Sequence, residues 1–182
     1  MRHRTLSDLE QHLDHLRESP RGRGTLELVV ARPRVGKRTV LDEAKLDEVL
    51  GLVGDSWSER RYWRTPENPP NPLKQITVMN HRMVALLSES PEEQALAGDQ
   101  LYVDLDLSVE HLPAGSRLAV GSAVIEVSEP AHTGCKKFVK HFGEDAMRFV
   151  NGREGRQLRL RGLNARVVVP GPVRPRDLVV VL

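Results

Sequence analysis

Apolar residues recur at helical spacing near the start of the chain, where Leu6, Leu9, Leu13 and Leu16 form one stripe among Asp8, Glu10, Asp14 and Arg17. That period predicts an amphipathic helix over residues 5–18, opened by a capping box at Ser7-x-x-Glu10. The run Pro20-Arg21-Gly22-Arg23-Gly24 then breaks it. Residues 1–24 thus read as an N-terminal helix and linker, an appendage that docks on the main domain or on a second subunit in a homodimer.

From Thr25 onward the period shortens. Residues 26–31, 39–41, 75–79, 101–103, 117–120, 123–127, 158–161, 165–169 and 178–181 carry β-type patterns. Turn residues separate them: Gly98-Asp99, Pro113-Ala114-Gly115, Gly121-Ser122 and Pro170-Gly171-Pro172. So many short strands predict a sheet that closes on itself. Helices are expected at 42–50, at 80–89 with Asn80 as the cap, and at 144–150. Residues 56–73, with Trp57, Tyr62, Trp63, Pro66, Pro69, Pro70 and Pro72, show no period and read as a long loop that could rim a pocket. The expectation is one mainly β domain with short helices over residues 25–182.

Composition narrows the function classes without choosing among them. With 39% hydrophobic and 29% charged residues, the chain has the make-up of a globular protein and is neither disordered nor collagen-like. Its apolar runs are too short to span a bilayer, and acidic residues interrupt the N-terminal stretch where a signal peptide would be apolar. The single cysteine excludes an intramolecular disulfide and gives an expectation of a cytoplasmic protein. Net charge is only +2, but residues 136–176 are biased toward Lys and Arg, which would suit a phosphate-bearing ligand. The few aromatics are not interleaved with that basic run as stacking platforms for nucleic acid would be.

Three constellations could carry chemistry. Gly51-Leu52-Val53-Gly54-Asp55 offers close backbone approach and an acceptor, or simply the cap of the preceding helix. Arg32-Pro33-Arg34-Val35-Gly36-Lys37-Arg38 is a basic turn between two strands, suited to phosphate or merely solvated. The third is His132-Thr133-Gly134-Cys135-Lys136-Lys137. Positive charge near a thiol favours the thiolate, the form that attacks and ligates metal, although a free cysteine is often just a small buried hydrophobe. The seven histidines show no zinc spacing with Cys135. A nucleophile paired with His132 or His141, or a single thiolate on a metal already held by an organic ligand, both remain open.

Taken in order, Gly51-Leu52-Val53-Gly54-Asp55, Gln75-Ile76-Thr77-Val78-Met79-Asn80, Gly98-Asp99-Gln100-Leu101, Leu118-Ala119-Val120-Gly121, Glu129-Pro130-Ala131-His132-Thr133-Gly134-Cys135 and Arg161-Gly162-Leu163-Asn164-Ala165-Arg166-Val167, with Pro170-Gly171 and Asp177, resemble the MOSC domain, named for the C-terminal part of molybdenum cofactor sulfurases. The resemblance covers roughly residues 26–182 and rests on motif order around one cysteine. It implies a MOSC-type, β-barrel-like fold and a molybdenum–pterin cofactor ligated by the sulfur of Cys135. Asp55 and His132 would lie near that site, and Arg34, Lys37 and Lys136 would meet the pterin phosphate. Relatives of this fold include reductases of N-hydroxylated compounds, which implies a small-molecule substrate. The chain has no desulfurase domain, no ferredoxin-like domain and no iron–sulfur cysteines, so a separate electron-donor protein is implied. The other function the resemblance allows is a carrier that takes sulfur from a donor as a Cys135 persulfide. Thr133-Gly134 stands where a proline more usually precedes the cysteine.

Overall fold

The change of period at Thr25 marks the start of the sheet. In the computed structural model, which describes residues 3–59 and 69–182, eleven strands appear among the described residues. In chain order they are β1 (Arg23–Ala31), β2 (Thr39–Leu41), β3 (Ala44–Asp47), β4 (Gly51–Leu52), β5 (Ile76–Asn80), β6 (Leu101–Asp104), β7 (Arg117–Val120), β8 (Ala123–Ala131), β9 (Leu163–Val169), β10 (Gly171–Val173) and β11 (Leu178–Val181). Seven of them close into a barrel in the order β1, β6, β5, β9, β8, β7, β11 and back to β1. All its pairings are antiparallel except β5 with β6. Strand β2 extends β1 outside the ring, and β10, β3 and β4 form a small second sheet. The molecule is therefore mainly β with short helices, as the patterning predicts.

Two apolar clusters flank the barrel wall. One fills the barrel, with Leu26, Val29, Ile76, Leu101, Leu118, Ile125 and Val179 among its members. The other lies under the helices α1 (Leu6–Glu10), α2 (Leu13–Arg17), α3 (His81–Leu87), α4 (Pro91–Gln94), α5 (Lys136–Asn151) and α6 (Arg153–Gln157). There Leu9, Leu16, Met83, Phe138 and Phe142 pack on Leu28, Val30, Met79 and Tyr102 from the outer face of the strands. Simple alternation would put Leu26 and Leu28 on one face. A register shift between them sends Leu26 inward and Leu28 outward, so β1 feeds both clusters.

Several expectations require correction. The helix expected at 42–50 is instead β3, with Ala44 and Leu46 buried and Lys45 exposed. Its end is set by Asp47, whose carboxylate accepts from the backbone N–H groups of Val49 and Leu50 and turns the chain into β4. The strand expected at 158–161 is a turn, because Arg159 adopts a left-handed φ of 47° that no strand tolerates. The first helix is split at Gln11–His12, and its cap is Thr5 rather than Ser7, since the Thr5 hydroxyl accepts from Asp8 N–H. Its apolar stripe is buried on the chain's own helical layer. Asn80 caps α3 as expected, its side chain accepting from Met83 N–H. The expected helix at 144–150 is the second half of the longer α5. Of the loop expected over 56–73, residues 56–59 and 72–74 form single 3-10 turns, and Tyr62, Trp63 and Pro66 lie outside the described residues. Among the described residues no helix is long and apolar enough to cross a membrane.

Candidate functional site

The end of β1 delivers Arg32 into the protein, with its side chain only 7% exposed. A guanidinium there requires a partner, and Asp55 supplies one. The Arg32 backbone N–H and Nε each donate to Asp55 Oδ2 at 2.8 Å, and Nη2 donates to Oδ1 at 3.2 Å. Trp57 N–H also donates to Oδ1, at 2.9 Å. Nη1 donates to the Gly98 carbonyl at 2.9 Å. Asp55 thus spends both oxygens fixing Arg32 and its own turn.

A second buried pair begins one residue after Gly98. Asp99 is fully buried, and its Oδ2 accepts from Arg161 Nη1 at 2.5 Å. Arg161 Nη2 donates to the Ala97 carbonyl at 2.7 Å, and the guanidinium lies 5.1 Å from the centre of the Phe138 ring. His132 Nε2 sits 3.0 Å from Asp99 Oδ1, close enough for an ion pair, yet both atoms fall outside hydrogen-bond geometry. Burial alone would raise the Asp99 carboxyl, but Arg161 and His132 outweigh it and hold the group ionised below its usual range. Burial also pushes the His132 imidazole down; Asp99 opposes this and Arg161 adds to it, so the ring is neutral at pH 7.

The chain between these groups and α5 carries the thiol. Asn151 clamps it from the far end of the helix: its Oδ1 accepts from Gly134 N–H at 3.0 Å, and its Nδ2 donates to the Gly134 carbonyl at 3.5 Å. Cys135 follows as the residue that caps α5, in extended conformation, exposed and with no side-chain capping bond. Lys136, Lys137 and Lys140 are exposed on the first turns. Gly143, with φ of 87°, interrupts the helix, so this first segment ends at Phe142.

The fold joins His132 to Asp99 and Arg161, and the Gly98–Asp99 turn links them to Arg32 and Asp55. Cys135 and Lys136 lie within four residues of His132 along the chain. Arg34 and Lys37 stand on the exposed turn after β1 and make no side-chain hydrogen bond or ion pair among the described residues. Sequence reasoning missed Asp99, Arg161 and the distinct place of Arg38. Arg38 is half-buried with an unpartnered Nε, and burial followed by the Arg32 charge lowers its pKa. The usable signal was position: Arg32 follows an unbroken apolar run, and Arg161 and Asp99 each adjoin a turn glycine. Among the described residues no three His, Cys, Asp or Glu side chains gather to hold a metal ion. A metal on Cys135 would take its other ligands from an organic group.

The fold is a closed seven-strand barrel, wrapped on one side by helices with a thiol at the head of the longest. Among solved structures the chain is similar to YuaD from Bacillus subtilis, with 17% identity and a TM-score of 0.63 over 87% of this chain and 95% of that one. It is also similar to YiiM from Escherichia coli, at 22% identity and a TM-score of 0.54, covering 87% of this chain and 69% of that one. YiiM from Geobacillus stearothermophilus gives 15% identity and a TM-score of 0.53 over 87% and 73%. These likenesses establish the shared fold. No family model matches the sequence, and comparison with curated proteins gives no match.

Proposed function

We propose that this chain is a MOSC-family protein that binds the molybdenum–pterin cofactor, with Cys135 as the metal ligand, and reduces N-hydroxylated compounds with electrons from a separate donor protein. The observation that carries this reading is one exposed thiol three residues along the chain from His132, which the fold joins to the buried Asp99–Arg161 pair, together with an unpartnered Nε on Arg161 and on the half-buried Arg38. An anionic cofactor fits such a donor set, since guanidinium groups bind phosphate in a bidentate fork. Arg32, Arg38 and the lysines of α5 would hold the anionic part, and Cys135 the metal. Bound, the cofactor supplies the redox centre. The chain's own residues do the positioning: Asp55 fixes Arg32, Asp99 fixes Arg161 and faces His132, and Asn151 fixes the turn ahead of the thiol.

The test is metal and pterin content of protein purified from cells that make the cofactor. Wild type is expected to carry both and Cys135→Ser to lose the molybdenum. Equal, negligible content in the two would sink the reading. The exposure of Cys135 also suits a carrier holding sulfur as a persulfide. Mass spectrometry of protein isolated under mild conditions separates the two: a mass gain of one sulfur on Cys135, without molybdenum or reductase activity, favours the carrier.

A further inference from the structure

A cavity of about 290 Å³ lies against the end of β8, the last turn of α5, α6 and the turn that follows. That volume is at the lower end for small-molecule sites. Pro130, Val150 and Leu163 give it an apolar wall, and its polar lining includes Ser128, Glu129, His132, Arg156, Arg159 and Arg161, with Thr133 and Asn151 beside them. Three of these groups hold polar atoms without a hydrogen-bond partner, His132 Nε2 among them. The Ser128 hydroxyl and Arg161 Nε are both buried without a hydrogen-bond partner, in side chains more than nine-tenths buried for Arg161 and a residue 6% exposed for Ser128. Leaving a buried donor unmet costs roughly 1 to 3 kcal/mol, so such groups on a cavity wall call for an acceptor.

The charge on the wall gives that acceptor its sign. Arg161 is balanced by Asp99, but Arg156 and Arg159 form no ion pair among the described residues. Glu129, exposed at the rim, is the one carboxylate in the lining. Arg159 is held in place by its Nη1 bond to the Leu112 carbonyl at 2.6 Å and by a left-handed backbone that an arginine rarely adopts. A fixed, half-buried guanidinium without a counter-charge is stabilised by a bound anion.

We propose that this cavity binds a small organic carboxylate with an apolar body, its carboxylate between Arg156 and Arg159 and within reach of the Ser128 hydroxyl. The body lies on the Pro130–Val150–Leu163 wall, which is why a carboxylate is favoured over inorganic phosphate. The site shares His132 and Arg161 with the buried centre but not Cys135, and it does not rest on the cofactor reading.

The experiment therefore uses metal-free Cys135→Ser protein, titrated with benzoate by calorimetry and by amide chemical shifts, with benzamide and inorganic phosphate as comparisons. Saturable benzoate binding is expected in the millimolar range or tighter, with benzamide at least about tenfold weaker, since the lost charge-assisted hydrogen bonds are worth that much. Arg156→Gln and Ser128→Ala, both away from the packed core of the helices, are expected to weaken benzoate several-fold; Arg159→Gln should do so more strongly where it folds. Absence of saturable benzoate binding overturns the proposal, as does equal binding of benzamide, tighter binding of phosphate, or unchanged affinity in both Arg156→Gln and Ser128→Ala.

Discussion

Asp99 shows what a single buried carboxylate commits a protein to. It is fully buried, pairs with Arg161 and faces His132, so removing its charge leaves a guanidinium with no counter-ion in the interior. Asp99→Asn is expected to cost about 3 to 5 kcal/mol in denaturant unfolding, the range seen when one partner of a buried ion pair is lost. A cost below 1 kcal/mol would mean that the pair is solvated. The same residues fix the pH response. His132 is held low by burial, so the unfolded chain takes up a proton near the ordinary value of about 6.5 while the folded chain resists. Stability is present above that pH and is lost as pH falls through it. Asp99, also held low, adds a loss of the same sign at more acid pH. The urea midpoint should therefore drop between about pH 7 and pH 5, and less so in His132→Gln. A midpoint that rises on acidification would contradict the burial of a neutral ring.

Helix α5 concentrates the element-scale consequences. Its two halves meet at Gly143, where φ is 87° and a side-chain carbon would stand 2.8 Å from the ring of His3. Gly143→Ala is expected to destabilise by about 1 to 3 kcal/mol, read from thermal unfolding, through backbone strain and the clash together. An unchanged transition would mean that the bend is not imposed. This helix also shows where the sequence was readable. Phe138 and Phe142 carry a helical period, yet Thr133-Gly134 looks like loop, so only the second half of α5 was expected. At 42–50 the pattern truly serves both periods: Leu46, Val49 and Leu50 suit a helix, Ala44 and Leu46 a strand, and the Asp47 side chain decides by capping the turn. Most barrel strands were legible because alternation is local. The centre was half legible for the same reason: His132 and Cys135 are near neighbours, whereas Asp99 and Arg161 are 62 residues apart and meet only through the fold.

At the scale of the whole molecule, the N-terminal helices belong to the body of the protein. Leu9 is fully buried and Leu16 nearly so, among Phe138, Phe142 and Met83. Deleting residues 3–19 should lower the melting temperature and expose that apolar face to a dye such as ANS. Leu9→Ala alone should cost about 2 to 5 kcal/mol. A fully stable truncated protein with no dye binding would show that the helices are dispensable.

The ring itself is sealed by β11 lying on β1, with Arg23 to Thr25 beside Leu178 to Val180. Strands from opposite ends of the sequence thus provide each other's missing edge. A growing chain cannot complete its wall until Leu178–Val181 has emerged, and until then β1 and β7 each present an unsatisfied row of backbone donors and acceptors.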